Sequence, residues 1–539
     1  MSKTILITSA LPYANGPIHI GHLLEHIQTD TYARAARMFG NTCWYVCADD
    51  AHGTPIMISA KNQQCTPLEL ITKLHQEHKD DFALFSIMHD CYHSTHSSEN
   101  QTHTNRVYQL LKSKGLITRK LLPQMYDEAS AMFLPDRFIR GECPKCKSPE
   151  QYGDGCEVCG ATYSPADLIN PRSFVSGTKP IIKESEHLFF ELTPLREFLH
   201  TYITSCALQS EIANKMKEWV EGDLKAWDIS REAPYFGFLI PDEVDKYFYV
   251  WLDAPIGYIA SSEKLLTTLG RDINDVWGEN SDVDLIHVIG KDIAYFHCLF
   301  WPAMLHAAGH RTPTQIQCHG FITIQGEKMS KSKGNFITAR DWAQQQDTDH
   351  LRYYLCAKMQ GTIVDMDLDF NEFELKINAD LIGKFVNIPS RCAQLLATYC
   401  DHKTTSENDI NPFATHIEEL FSHASQLYLE WKIGEVIKDS MRLADMINSY
   451  LSDAKPWSAF KNPTTAQAAQ QTCTFALEAF VALASVLSPI IPTISKNSLA
   501  LFLIKQPCIQ FTSLRGITLQ PFTQLSARVN RSKLDSLVP

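Results

Sequence analysis

The chain of 539 residues is long enough for three or four domains, because folded domains average roughly 150 residues. Hydrophobic residues make up 44% of it and charged residues 20%, which is typical of a folded enzyme and excludes a fibrous or disordered protein. Since 49 lysines and arginines stand against 61 acids, the net charge of −12 excludes a uniformly basic nucleic-acid coat, although a local basic face is compatible with it.

Three features predict a cytoplasmic protein without a membrane span. The first apolar run, residues 5–10, is too short for a signal peptide. The most hydrophobic stretch, residues 475–494, contains Glu478 and is interrupted by Pro489 and Pro492, so we expect a buried helix that ends near the first proline. Most of the 16 cysteines occur singly, which favours a reducing compartment over a disulfide scaffold.

The first 110 residues alternate strand and helix signals. A strand is predicted over residues 4–10, a helix over 21–39 and a second strand over 42–48, followed by Asp49 and Asp50. This succession is the unit of a doubly wound parallel sheet, in which ligands gather beyond the carboxyl ends of the strands.

The pattern lapses between residues 116 and 226 and then resumes, which predicts a domain inserted into the sheet domain. The later signals are strands over 246–252, 284–290 and 316–324, and a helix over 293–308. From about residue 379 strand signals vanish, and helices are predicted over 433–451 and 466–487.

The sequence therefore predicts an α/β fold. A doubly wound parallel-sheet catalytic domain is split by a zinc-binding insertion and followed by an all-α C-terminal bundle. The expected segments are the first half of the sheet domain (1–115), the insertion (116–227), the second half (228–325), a linking segment with a lysine loop (326–378) and the helical domain (379–539).

Two loops carry the chemistry. The first reads Leu11-Pro-Tyr-Ala-Asn-Gly-Pro-Ile-His19-Ile-Gly21-His22, which places two histidines at the start of a helix, where unpaired N–H groups and the helix dipole favour phosphate. Taken alone, such histidines are equally compatible with capping or solvated residues. The second loop, Gly326-Glu-Lys328-Met-Ser-Lys331-Ser-Lys-Gly-Asn335, can close over a triphosphate and neutralise a leaving pyrophosphate, whereas an isolated loop of this kind is usually just solvated.

In this order, each after a predicted strand, the two loops resemble the signature motifs of class I aminoacyl-tRNA synthetases, His-Ile-Gly-His and Lys-Met-Ser-Lys-Ser. Neighbouring blocks are similar to the methionyl-tRNA synthetase family, namely residues 10–16, 48–55, 249–258 and 290–297. The resemblance extends from residue 4 to about residue 460. It implies activation of methionine by ATP to methionyl-adenylate, followed by transfer to the 3′-terminal adenosine of methionine tRNA, initiator and elongator.

The residue types suit this activity. Methionine is flexible and weakly polar, so its selection needs a closely shaped aromatic pocket that gains from sulfur–aromatic contact. The expected walls are Leu11, Tyr13, Trp251, Tyr258, Phe296 and His297, of which Phe296 is equally compatible with core packing. Asp50, at the end of a strand, can anchor the ammonium group of the substrate.

The first step needs no covalent nucleophile, because positioning and electrostatic stabilisation suffice for attack of a carboxylate on the α-phosphorus. We expect Lys331, and secondarily Lys328, at the phosphates, and His19 and His22 as hydrogen-bond donors in the transition state. Gly21 allows close approach of the nucleotide, and the resemblance places Asp292 near the ribose. Mg²⁺ is expected with ATP, without a dedicated protein ligand.

A cysteine-rich island predicts a metal site inside the insertion. Cys143-Pro-Lys-Cys146 and Cys156-Glu-Val-Cys159 are two C-x-x-C knuckles, with glycines nearby for tight turns. Four thiolates at this spacing suit one structural Zn²⁺ with a closed tetrahedral shell, and the alternative is a redox disulfide pair. Many members of the family that the sequence resembles contain one such knuckle in the insertion.

Three residues of the helical tail are candidates for contact with the anticodon. Asn387 and Arg391 lie one helical turn apart, with Pro389 between them, and Trp457 follows a predicted helix boundary. Without the resemblance, a core tryptophan and a solvated polar face are the better interpretation. The resemblance places this trio against a CAU anticodon, where stacking and edge hydrogen bonds read unpaired bases.

Other functions remain open at this point. A synthetase for cysteine would need a metal site in its pocket, an adenylyl- or cytidylyltransferase would not need the helical tail, and an inactive tRNA-binding protein would not need the histidines and lysines. Nothing after about residue 500 resembles an added strand-rich dimerisation domain, so we expect a monomer.

Overall fold

A computed structural model of the protein describes residues 3–329 and 334–538. Its first part alternates strands and helices, as predicted, and the first two strands and the helix between them lie within a residue of the expected bounds. The elements are β1 (Thr4–Ser9), α1 (Ile20–Met38), β2 (Thr42–Asp49), α2 (Thr54–Asn62), α3 (Pro67–Leu84), β3 (Cys91–Ser94) and α4 (Ser98–Ser113).

The segment that interrupts the alternation forms its own antiparallel sheets. Its elements are β4 (Ile117–Asp127), β5 (Met132–Phe133), β6 (Ile139–Glu142), β7 (Gln151–Tyr152), β8 (Ile169–Ser173), β9 (Ile181–Phe190), α5 (Arg196–Ser205), α6 (Ser210–Glu221) and β10 (Trp227–Asp228). The strands are ordered β10-β9-β4-β5 in one sheet and β7-β6-β8 in the other.

The chain then returns to the first sheet. The elements of this part are β11 (Ser230–Glu232), β12 (Lys246–Phe248), α7 (Val250–Asp253), α8 (Gly257–Thr268), α9 (Asn274–Trp277), β13 (Asp284–Gly290), α10 (Trp301–Ala308) and β14 (Gln315–His319). The central sheet is parallel throughout, in the order β14-β13-β1-β2-β3. Because β1 lies between strands from both halves, its carboxyl end is the point where the winding reverses and where ligands bind in such sheets.

The last part is a small sheet followed by helices. Its elements are β15 (Ile322–Ile324), β16 (Glu327–Lys328), α11 (Ala339–Gln345), α12 (Thr348–Lys358), β17 (Met366–Leu368), α13 (Phe370–Lys376), α14 (Asn387–Tyr399), α15 (Ala414–Leu429), α16 (Ile433–Ala454), α17 (Pro456–Ala459), α18 (Ala466–Val486), α19 (Pro492–Ala500) and α20 (Arg531–Asp535). The predicted α/β class and all-α C-terminal bundle are confirmed. None of the helices in the described ranges is long and apolar enough to span a membrane.

Three predicted elements are wrong in part. The strand over 246–252 ends at Phe248, and α7 follows it. The helix over 293–308 contains a π-helical stretch, Phe296–Phe300, before α10 begins. The strand over 316–324 is two strands in different sheets, because the chain bends at Gly320, where a Cβ atom would clash with the Val364 carbonyl oxygen.

The helix that contains Asn387 starts in an unusual way. A π-helical segment, Ile377–Val386, runs directly into α14, and Pro389 occupies the first turn of that helix. Because the helical backbone is continuous through this junction, Pro389 removes one N–H donor from it. Asn387 and Arg391 therefore lie one turn apart on α14, with the proline between them.

A buried arginine joins the bundle to the first helix of the sheet domain. Arg352, in α12, is fully buried and donates to Asp30 Oδ2 at 2.7 Å, and to the carbonyls of Phe85, Pro489 and Ile490 at 2.8–3.0 Å. Burial alone would raise the pKa of Asp30, but Arg352 and a second arginine lower it below its ordinary value. The ion pair is thus charged and holds α1, α12 and the end of α18 together.

We expect Arg352→Met to lower the free energy of unfolding by about 3–5 kcal/mol, because it removes the donor of three carbonyls and one of the two arginines that pair with the buried Asp30. Urea denaturation followed by tryptophan fluorescence measures the change. The control is Arg442→Met, which removes an ion pair whose arginine side chain is 65% exposed and should cost no more than about 1 kcal/mol. Equal effects of the two substitutions would contradict a structural role for the Arg352 contacts.

Candidate active site

Two histidines cap the first helix. His19 is the N-cap residue of α1, and its Nδ1 accepts the backbone N–H of Gly21 at 3.1 Å. His22 Nδ1 accepts the backbone N–H of His19 at 3.4 Å, and the two rings stack with centroids 3.8 Å apart. Imidazole nitrogens thus take the place of the oxygen atoms that usually satisfy the amino end of a helix.

This arrangement fixes which nitrogen of each ring holds the proton. Since Nδ1 is the acceptor in both rings, the proton of a neutral ring lies on Nε2. Burial, reinforced by the neighbouring His19, holds the pKa of His22 well below 6.5, so this ring is neutral at physiological pH. The cap therefore offers N–H donors beside the positive end of a helix dipole, which favours an anion.

The segment that follows the lysine loop lies against this cap. The segment that follows the loop pairs with the segment around His19, with backbone bonds from Ile20 N to Ile337 O (3.2 Å) and from Ala339 N to Ile18 O (2.9 Å). The two sequence motifs are therefore neighbours in space although about 300 residues separate them in the chain.

Gly21 leaves the room that the loop needs. A Cβ atom at this position would lie 2.9 Å from the His19 ring and 3.1 Å from the Met329 methyl group. The Asn335 side chain donates to the Lys328 carbonyl at 3.2 Å, which ties the two ends of the loop together. Lys328 is exposed, whereas Lys331, the other predicted phosphate ligand, lies outside the described residues.

A buried carboxylate fixes the loop between β1 and α1 through a histidine that bonds to both. Asp49 accepts hydrogen bonds from His75, His78 and Tyr92 at 2.5–2.6 Å, and His78 Nε2 donates to the Gly16 carbonyl at 2.8 Å. Burial acts to raise the pKa of Asp49, but these three donors lower it. Burial likewise acts to lower the pKa of His78, yet its bonds to Asp49 and Gly16 raise it.

An apolar cavity opens beyond the carboxyl end of β1, at the start of the loop that leads to the cap. All of the predicted pocket residues except Tyr13 line it. Several residues that the sequence did not single out complete the wall. The lining residues are Ala10, Leu11, Asp50, Trp227, Trp251, Ala254, Pro255, Tyr258, Ile293, Phe296, His297, Phe300, Trp301 and Met304. Trp251 and Phe296 stack with ring centroids 4.3 Å apart.

The cavity contains one acidic group. Burial, together with the neighbouring Asp253, raises the pKa of Asp50 well above its ordinary value, and its Oδ1 is buried without a hydrogen-bond partner among the described residues. A carboxylate in such a place gains most from a cation that enters the cavity and pairs with it.

The other polar groups of the cavity are neutral. The Ile293 carbonyl accepts from His297 Nδ1 at 3.1 Å, so His297 Nε2 accepts the Tyr258 hydroxyl at 2.9 Å. Burial lowers the pKa of His297 to about 4, and the ring is uncharged at neutral pH. The cavity thus combines an apolar wall with a single site for a positive charge.

Two predicted ligand residues lie at the edge of this site. Tyr13 is not part of the cavity wall; it pairs with Asp50 through a backbone bridge, and its hydroxyl donates to the His52 carbonyl at 2.8 Å. Asp292 is exposed in a 3₁₀ turn directly after β13, where its Oδ1 would meet a Cβ atom at Gly290.

Two buried pairs of an acid and a histidine near the site were not predicted. Glu25, two turns along α1, accepts from His319 Nε2 at 3.0 Å, and the Asp253 carboxylate bonds to His52 beside Asp50. In both pairs the acid and the histidine come from distant parts of the chain.

Four thiols converge in the insertion. Cys143 Sγ and Cys159 Sγ are 3.7 Å apart, Cys146 Sγ and Cys156 Sγ are 3.5 Å apart, and all four sulfur atoms lie within 4.8 Å of one another. The edges of a tetrahedral Zn–S₄ site are about 3.8 Å long. Backbone N–H groups also point at Cys143 and Cys156 from 3.4 Å. The cluster fits a metal and contains no disulfide.

In the bundle, the three predicted anticodon residues are partly or fully accessible. Trp457 is 39% exposed at the start of α17, after Lys455 in a left-handed conformation (φ 48°). Arg391 is exposed, and Asn387 is half-buried with its amide donating to the Gly383 carbonyl at 3.3 Å.

Comparisons with known proteins agree with this architecture. The sequence matches the family model of class I tRNA synthetases (M) over residues 5–393. Two structures of Mycobacterium tuberculosis methionyl-tRNA synthetase with methionyl-adenylate superpose with a TM-score of 0.79 at 21% and 20% identity, covering 97% of this chain and 99–100% of theirs. The ligand-free form of that enzyme gives 0.72 at 20% identity, over 98% and 99% of the two chains. At this identity the superpositions establish the fold.

The histidine that supports the first loop makes a pH-dependent contribution. Because its folded-state pKa is raised above 6.5, the stability that His78 contributes is complete below that value and is lost as the pH rises through the raised pKa. We therefore expect His78→Gln to lower the melting temperature more at about pH 6 than at about pH 9. The exposed His416→Gln should show no such difference, and a pH-independent loss for His78→Gln would contradict the charged pair with Asp49.

Proposed function

This chain belongs to the class I tRNA synthetases (M), and we propose on that premise that it activates methionine with ATP and transfers the methionyl group to the 3′ adenosine of methionine tRNAs, initiator and elongator. The observation that carries the proposal is the position of Asp50. It is the only acidic group, among the described residues, that lines an apolar cavity at the start of the loop leading to the histidine cap.

The cavity chemistry matches a methionine substrate. The ammonium group would pair with Asp50, while the side chain would lie among Leu11, Trp251, Tyr258 and His297, where aromatic rings contact a thioether favourably. No cysteine lines the described cavity, which argues against the thiolate–metal pocket of a cysteine-specific enzyme. Tyr13 supports the site through its bridge to Asp50.

The histidine cap then serves the nucleotide. In the first step an oxygen of the methionine carboxylate attacks the α-phosphorus of ATP, and pyrophosphate leaves. We assign the Nε2–H groups of His19 and His22 to the phosphate oxygens, where negative charge accumulates in the transition state. Gly21 leaves room for the nucleotide, Asp292 binds its ribose, and Lys328 and Lys331 neutralise the leaving pyrophosphate. Mg²⁺ accompanies ATP and screens its phosphate charges.

The direct test is ATP–pyrophosphate exchange against all twenty amino acids, in which only methionine should support rapid exchange. Asp50→Asn should raise the KM for methionine by about 10- to 150-fold, because one hydrogen bond to a charged group contributes about 1.5–3 kcal/mol. The KM for ATP should stay within about threefold of the wild-type value, because the substitution does not touch the cap.

The matched control is Asp275→Asn, which removes an exposed carboxylate of a surface ion pair and should leave both KM values unchanged. An Asp50→Asn enzyme with the wild-type KM for methionine would refute the ammonium assignment. Exchange that is equally fast with another amino acid would refute the specificity, while the assignment of the cap would stand.

The helical bundle would recognise the CAU anticodon. Trp457 offers an accessible ring for stacking on an unpaired base, and Asn387 and Arg391 offer amide and guanidinium groups on a shared helix. Exposed basic side chains such as Arg391 and Lys455, in a chain of net charge −12, give a local rather than a global attraction for RNA.

Trp457→Ala should leave pyrophosphate exchange unchanged and reduce kcat/KM for tRNA charging by about 5- to 150-fold, as expected for the loss of one stacked base. Trp457→Phe should retain part of the activity. The control is Tyr399→Ala, which removes another exposed aromatic ring of the bundle and should have little effect. Equal loss of exchange and charging in Trp457→Ala would identify the ring as structural.

The remaining proposals concern the whole protein. We propose that Cys143, Cys146, Cys156 and Cys159 hold one structural Zn²⁺, which would stabilise the insertion and leave no open position for catalysis. We further propose that the enzyme is a cytoplasmic monomer and that the segment limits given by the sequence, 1–115, 116–227, 228–325, 326–378 and 379–539, are its domain boundaries.

A further inference from the structure

A second group of metal-binding side chains lies beneath the histidine cap, and we propose that it is a binding site for Zn²⁺. Its members are His26 on α1, Cys47 on β2 and His89 in the loop before β3, and their ligand atoms all lie within 4.8 Å of one another. None of these residues belongs to the cavity or to the cysteine knuckle. Two imidazoles and one thiol favour Zn²⁺ over Mg²⁺ or Ca²⁺, which prefer oxygen ligands.

The distances fit coordination. His26 Nδ1 and His89 Nε2 are 3.1 Å apart, close to the edge of about 3.3 Å that two nitrogen ligands span in a tetrahedral zinc site. The Tyr45 hydroxyl lies 3.1 Å and the Ser9 hydroxyl 3.3 Å from the same His26 nitrogen. One nitrogen thus has three polar neighbours, more than a single ring proton can bond.

Both imidazoles of the cluster are buried or half-buried and neutral. His26 is 1% exposed, and its Nε2 has no hydrogen-bond partner among the described residues. Burial and the neighbouring histidines keep the pKa of His26 low, and burial lowers that of His89 to about 3, so both rings are neutral and present lone pairs.

The surroundings suit a cation and give it a route of entry. The negative charges of Glu25 and Asp49 act to raise the pKa of the Cys47 thiol, and those of Asp30 and Asp49 act to raise the pKa of His89. These acids would offset the positive charge that remains after one thiol releases its proton to solvent and binds as thiolate. His89 is half-buried next to the exposed Met88, so its loop can admit an ion from the surface.

Metal binding here would tie α1 to β2 and to the loop before β3. It would also restrain Ser9, whose Oγ donates to Cys47 Sγ at 3.5 Å at the end of β1. We therefore expect Zn²⁺ to raise the melting temperature of the full-length protein beyond the effect of filling the knuckle, since a ligand that binds only the native state stabilises it.

The test is metal content of the full-length, reduced protein after equilibration with micromolar Zn²⁺ and gel filtration. Wild type should retain about two zinc ions per chain, one in the knuckle and one in the new site. Cys47→Ala and His89→Phe should each retain about one. His89→Phe keeps an aromatic ring among Tyr45, Phe82 and Tyr92, which the native imidazole contacts.

Further variants separate the two sites. Cys143→Ser with Cys146→Ser should lose the knuckle metal and keep the other, whereas the controls Cys65→Ser and His416→Phe should keep both. With Zn²⁺ already in the knuckle, added Co²⁺ should give a visible spectrum with one-thiolate charge transfer in wild type, and none in His89→Phe. This readout uses the wild-type protein even where a variant fails to fold.

Three results would overturn the site. The first is a wild-type protein that takes up one zinc ion or fewer while the knuckle is intact. The second is retention of the second ion by both Cys47→Ala and His89→Phe. The third is a wild-type protein that binds Co²⁺ without a thiolate band, and each of these would leave the three side chains as a hydrogen-bonded core cluster.

Discussion

At the amino end of α1 two imidazole rings do what a serine or aspartate side chain does in most helices. Each accepts a backbone N–H through Nδ1, and this acceptance leaves the proton of a neutral ring on Nε2. The same contacts that end the loop and start the helix therefore fix which ring nitrogen can donate. A serine cap would satisfy the helix but would offer no such N–H donor.

Two neighbouring buried carboxylates, Asp49 and Asp50, differ in their hydrogen bonds and in the direction of their pKa shifts. Asp49 has three donors and a lowered pKa, and it holds the first loop in place through His78 and Gly16. Asp50, the next residue, faces the cavity with an unpartnered oxygen and a raised pKa. The strand alternation sends consecutive side chains to opposite faces, so one acid meets the histidines of α3 and the other meets the apolar cavity.

Much of this could be predicted from local patterns. The strand–loop–helix order, the spacing of the cysteines and the two charged loops are encoded over short stretches, so β1, α1, β2, β13 and the thiol cluster were predicted correctly. The errors lie where distant contacts override local preference. Phe296–Phe300 adopts a π-helix and Gly320 divides a strand because other segments pack against them. Trp227 and Met304 line the cavity without any local signal, since only the tertiary fold brings them there.

The pairing of Glu25 with His319, and of Asp253 with His52, was invisible for a similar reason. The local sequence around each of these residues gives no sign of a partner, because the two members of each pair meet only in the folded chain. The placement of Lys331 is a different matter, since this residue lies outside the described part of the chain. The neighbouring Met329 and Asn335 nevertheless bring both ends of its loop to the histidine cap.

The Arg352 contacts also bear on how the two ends of the molecule communicate. The guanidinium group bonds at once to α1, whose first turn is the histidine cap, and to the carbonyls that follow α18 in the bundle. A rigid-body rotation of the bundle relative to α1 would break these buried hydrogen bonds, and no water would replace them. A ligand long enough to contact both α1 and the bundle therefore meets a fixed distance between them. The ligand, and not the protein, must then change its shape to fit.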